Sequence, residues 1–131
     1  MPIVYKVVRD PQDPELPYRS VMMGDHSPYC TPYAIGQTTT PPIGRLFVYK
    51  QLGFAVKFRN GNQSPDRPCL AILECEATSV QPIVSVARYL EPSHIRVFWD
   101  GLCTLPTAQA PWGSYTAATV TPLRVVDEQG G

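Results

Sequence analysis

The chain has 131 residues, 44% of them hydrophobic, with Lys+Arg and Asp+Glu balanced at 11 each. That length suits one domain able to bury a core without metal or disulfide staples, and the composition excludes wholesale disorder. The balanced charge excludes a global field drawing the chain to nucleic acid or an anionic membrane.

Ile3 to Arg9 (I-V-Y-K-V-V-R) is rich in β-branched residues and predicts a first strand. Asp10 to Pro17 holds three prolines and must be a loop, since proline lacks an amide donor and biases its predecessor toward extended geometry. Tyr18 to Met23 predicts a second strand, stopped at Gly24-Asp25 and antiparallel to the first. Residues 26 to 42 are punctuated by Pro28, Pro32, Gly36, Pro41 and Pro42. Tyr33 to Gln37 can pair at a sheet edge, and Thr38 to Pro42 reads as turn material.

Arg45 to Tyr49 predicts a third strand. Residues 51 to 59 fit two patterns. Phe54, Val56 and Phe58 alternate as in a strand, while Leu52, Ala55, Val56 and Arg59 share a helical stripe. Gly53 favours the strand. The need to cover a sheet face favours the helix, and the helix is the expectation. Asn60 to Pro68 is an open loop.

Cys69 to Thr78 (C-L-A-I-L-E-C-E-A-T) has the clearest period in the chain and contains neither Pro nor Gly. Cys69, Ala71, Leu73, Cys75 and Ala77 fall on one face, and Leu70, Ile72, Glu74, Glu76 and Thr78 on the other. Its first half is apolar on both faces, which suits a central strand covered on both sides. Its far end turns two carboxylates outward. Gln81-Pro82 breaks the chain, and Ile83 to Leu90 fits a strand or a distorted helical turn. A helix is expected after Glu91-Pro92-Ser93, with Ile95, Phe98, Trp99 and Leu102 on one face and Gly101 as the stop. Cys103 to Ala118 predicts a long loop. Val120 to Val126 predicts a last strand, placed by Pro122 at an edge or a bulge. The tail, 127 to 131, is expected to fray.

The resulting expectation is one α+β domain. It has a mostly antiparallel sheet of about five or six strands, one or two short helices and long Pro-rich loops. No signal-peptide run or membrane span is evident, and a cytoplasmic location is the default. The four cysteines lack zinc spacing and are expected as buried thiols, with no metal site.

Two surfaces carry chemistry. Seven tyrosines and eight arginines, several in Pro-rich segments, suit a recognition surface that gives contact area at low entropy cost. Tyr29, Tyr33, Arg45, Arg59 and Arg67 are its candidates, toward a protein or nucleotide partner. The second surface is the Glu74-x-Glu76 pair, whose acceptors in fixed register can hold a ribose diol or steady an oxocarbenium ion. His26 and His94 have no metal-ligand spacing, and no phosphate loop or nucleophile elbow is present.

The E-x-E at Glu74 and Glu76, with Arg19 in Tyr18-Arg19-Ser20, resembles the ADP-ribosyltransferase family. The family's middle Ser-Thr-Ser strand has no good equivalent in this chain. That resemblance implies a split-sheet domain acting on NAD, with Glu76 as the catalytic acid and Glu74 and Arg19 in support. A second resemblance covers most of the chain. The order Y-K-V-V-R, Y-R-S-V, G-R-L-F-V-Y-K, L-E-C-E-A and P-W-G-S-Y-T-A-A-T-V-T-P-L-R-V-V looks like small uncharacterised α+β domains of phages, bacteria and fungi. It implies a single fold unit without an activity. Of the two functions, a binding module, virus- or defence-associated and without cofactor, is preferred to the NAD-directed transferase.

Overall fold

The computed structural model describes residues 2–10, 18–20, 31–41, 44–62, 69–83, 85–87, 107–109 and 113–126. Among these lie ten strands and one helix. They are β1 (Ile3–Arg9), β2 (Tyr18–Ser20), β3 (Pro32–Tyr33), β4 (Leu46–Tyr49), α1 (Leu52–Asn62), β5 (Leu70–Thr78), β6 (Gln81–Pro82), β7 (Ser85–Ala87), β8 (Thr107–Gln109), β9 (Ser114–Ala117) and β10 (Thr119–Val125). The architecture is α+β, mostly sheet, and all pairings are antiparallel.

Strand β5 is central, as its two-sided apolar first half requires. It pairs with β1 over seven residue pairs, from Ile3 opposite Glu76 to Arg9 opposite Leu70, and with β10 on its other side. The main sheet runs β10-β5-β1-β4-β9-β6. Only Ala118 separates β9 from β10, and its N–H donates to the Thr78 carbonyl at 2.9 Å. The two strands are therefore arms of one bent segment, and the sheet curls back on itself.

A branch makes the same return. The C-terminal part of β1 pairs with β2, and β2 with β3. From β3 the chain reaches the far edge of β10, where Thr39 and Val120 exchange backbone hydrogen bonds of 2.7 and 3.1 Å.

Inside the curl lie Val4, Val8, Leu46, Val48, Leu73, Cys75, Ala77, Ala117, Val120 and Tyr33, all buried. A fully buried aliphatic among them contributes about 1.5–3 kcal/mol. Helix α1 covers the opposite face, packing Ala55, with Leu52, Phe54 and Phe58, against Val7, Tyr49 and Ile72. The first turn of α1 has no acidic residue, so packing rather than a charged start holds it. Gly113 sits at φ +77° directly under Phe54, where a Cβ would lie 2.5 Å from a ring carbon. Here glycine is required twice, for the left-handed backbone and for the close approach.

Several expectations are corrected. The sheet has more strands than the five or six expected. The stretch 103 to 118 contains β8 and β9 rather than one long loop. Gln81-Pro82 does not end the sheet but pairs with Thr116 and Tyr115 as a short outer strand. Thr38 and Thr39 bond to β10, Thr38 through its hydroxyl to that of Thr121 at 2.9 Å. Pro122 stands beside a register shift before Arg124, a bulge in β10, and its donorless nitrogen is on the side away from β5, where its carbonyl accepts from Gly36. The helix expected after residue 91 lies outside the described residues.

Candidate functional site

Alternation along β5 sorts the mid-chain residues as the pattern requires. Cys75 is wholly buried within the curl, while Glu74 and Glu76 stand on the opposite face beside Tyr5 and Ile3 of β1. Glu74 forms an ion pair with Arg124, its cross-strand neighbour on β10. The Glu76 carboxylate has no hydrogen-bond partner among the described residues. Arg19 does not join them. It pairs with Arg9, whereas Glu76 pairs with Ile3, six residues or roughly 20 Å along β1. Among the described residues, Arg124 is the cation that reaches Glu74.

The residues proposed for a recognition surface divide. Tyr33 is only 1% exposed and belongs to the core; its place in a Pro-rich segment hides the fact that this segment crosses the sheet. Arg45 braces the turn after β5. Its guanidinium donates to the Thr116 hydroxyl at 2.9 Å and to the Ser79 carbonyl, and Ser79 has a positive φ of 53°. Arg59 lies in the last turn of α1 and donates to the Asn60 side-chain oxygen at 2.7 Å. Tyr29 and Arg67, together with His26 and His94, lie outside the described residues. Cys75 is a free thiol. No group of three His, Cys, Asp or Glu side chains suited to a metal occurs among the described residues, and no helix there is long and apolar enough to cross a membrane.

Two features were missed in the sequence. The first is Lys6, which shares a strand face with Val4 and Val8 and so turns into the curl. Its amine donates to the Phe47 carbonyl at 2.6 Å and lies 5.6 Å from the centroid of the Tyr33 ring. Burial lowers its pKa to about 8, the neighbouring Cys75 opposing the shift. Burial likewise pushes the Cys75 thiol up to about 12, so this thiol is not a nucleophile. The signal for Lys6 was present: a lysine at an even position between two even valines.

The second is the outer edge of β10. Val126 N–H donates to the Ile72 carbonyl at 2.8 Å, so Val126 faces β5 and Val125 turns its backbone groups the other way. Leu123 is the extra residue of the bulge and is left out of the ladder. Among the described residues, the return segment bonds to β10 only as far as Pro122, whose carbonyl accepts from Gly36 at 2.8 Å. Beyond it, Leu123 is 41% exposed and Val125 43%, and Ile35 beside them is 47% exposed. With Ile3 these are the large exposed apolar side chains among the described residues.

Comparison with family models, with curated proteins and with solved structures gives no match.

Proposed function

We propose that the protein is a binding module whose contact surface is the outer edge of β10 and the apolar side chains around it. The carrying observation is that Ile35, Leu123 and Val125, all more than two-fifths exposed, gather at the stretch of β10 beyond Pro122, which the described residues of the return segment do not reach. Apolar groups at a centre with Arg124, Glu74 and Glu76 at the rim match the make-up of protein-binding surfaces. This reading keeps the recognition role expected of the chain and moves it from Tyr33 and Arg45, whose side chains serve the fold, to β10.

The test uses peptides selected against the folded protein from a random display library. Leu123→Asp and Val125→Asp each remove their binding while leaving the melting temperature within a few degrees of the parent. Selected peptides that bind these variants as well as the parent overturn the assignment of the surface.

A second reading, an NAD-directed transferase, rests on Glu76, whose carboxylate has no partner among the described residues. Glu76→Gln then abolishes hydrolysis of labelled NAD without lowering stability. Parent protein that neither binds nor consumes NAD ends that reading.

A further inference from the structure

We infer that the ligand of this surface is an extended segment of another protein, added to β10 as a further strand with a carboxylate opposite Arg124. The inference rests on the binding-module reading and names the partner's chemistry. An edge whose N–H and C=O groups point outward is completed by another strand's backbone, which gives affinity without regard to sequence. Specificity must then come from the side chains flanking Leu123 and Val125. Between those two lies Arg124, its side chain 64% exposed even while its Nε donates to Glu74. Glu74 occupies the β5 side of the guanidinium, and the side away from β5 is where an added strand would lie. An acid there extends the ladder as Glu74, Arg124, acid; a lysine there meets a like charge.

The same geometry argues against a second copy of this chain as the occupant. The chain's formal net charge is +0, so no overall repulsion keeps copies apart. However, an antiparallel copy that pairs Leu123 with the partner's Val125, and the reverse, sets each Arg124 against its own counterpart. A like-charged pair at the centre of so short a contact opposes that register. A segment alternating apolar and acidic residues satisfies backbone, apolar groups and charge together.

Two blocked pentapeptides, Val-Glu-Val-Glu-Val and Val-Lys-Val-Lys-Val, titrated into the isotopically labelled protein test this. The glutamate peptide shifts the amide resonances of Leu123 and Val125 and binds about tenfold tighter than the lysine peptide. Arg124→Glu reverses the order. If that variant fails to fold, Arg124→Gln brings the two affinities together. Equal affinities for the parent protein overturn the inference, as do shifts that map elsewhere or a dimer in sedimentation that is lost on Leu123→Asp. Display-selected peptides that depend on Leu123 and Val125 yet show no acidic preference end this inference while leaving the binding surface standing.

Discussion

The amine of Lys6 lies 5.6 Å from the centroid of the Tyr33 ring, within the curl of the sheet. A cation here loses water and regains only one carbonyl bond and a ring face, which is why its pKa falls to about 8. The unfolded chain keeps this proton to about 10.5, so it binds more protons than the native state between about 8 and 10.5, and stability rises with pH there. Cys75 acts in the opposite sense. Its native pKa of about 12 exceeds the unfolded value of 9.0, so stability falls as pH rises across that interval. The expected profile climbs from about pH 8 to 9, is level to about 10, then falls as Tyr49 (raised from 10.0 to about 12) joins Cys75, and falls more steeply above about 10.5, where the Lys6 contribution ends. Lys6→Met removes the climb and raises stability at pH 7 by about 2 kcal/mol. Urea unfolding at half-unit steps of pH checks both; a Met variant less stable than the parent at pH 7 refutes the account.

Tyr33 separates a core role from a recognition role. At 1% exposure it packs with the residues inside the curl, and Tyr33→Ala is expected to cost about 3–5 kcal/mol. Any loss of partner binding by that variant then tracks the unfolded fraction. Ala at Tyr33 with an unchanged melting midpoint contradicts the packing.

How much of this was readable from the sequence depends on where each element's partner lies. Leu70 to Thr78 could be read because β5 is buried within the sheet and its alternation is set by its own two faces. The helix at 52–62 could be read from the face that lacked a lid, though not from Gly53 or from its weak amphipathic pattern. Thr39, β9 and the burial of Tyr33 could not. Their structure comes from contacts with β10, β4 and β2 respectively, and their Pro, Thr and Gly content carries the local signature of loops. Of the candidate site, the sequence placed Glu74 and Glu76 on one face. It did not reveal Arg124 beside Glu74, because cross-strand partners fifty residues apart leave no mark in local spacing.

Gly113 offers a direct test of the contact between helix and sheet. Gly113→Ala must force a side-chain carbon to within 2.5 Å of the Phe54 ring and hold φ near +77°, at an expected cost of about 2–3 kcal/mol. Phe54→Ala weakens the packing of α1 by itself, but it opens the space the new methyl needs. The double variant is therefore expected to lose at least about 1 kcal/mol less than the sum of the single losses. Strict additivity in urea unfolding excludes the contact.

The pair of Glu74 and Arg124 joins the central strand to the proposed binding edge, and its worth to the fold should be small. Arg124 is largely exposed, and an exposed ion pair contributes about 0.2–1 kcal/mol after side-chain ordering. A double-mutant cycle of Glu74→Gln and Arg124→Gln should therefore return a coupling within that range, shrinking in 0.5 M NaCl as screening shortens the reach of exposed charges. Binding should respond differently. Glu74→Gln leaves the fold nearly unchanged but removes the carboxylate that already satisfies Arg124, so the guanidinium has more attraction left for an incoming acid. Glu74→Gln is accordingly expected to tighten binding of the glutamate pentapeptide by a few-fold, and Arg124→Gln to weaken it. A Glu74→Gln variant that binds the acidic peptide less well than the parent would mean that the acid seeks another cation, and the ladder of charge across β5 and β10 would be wrong.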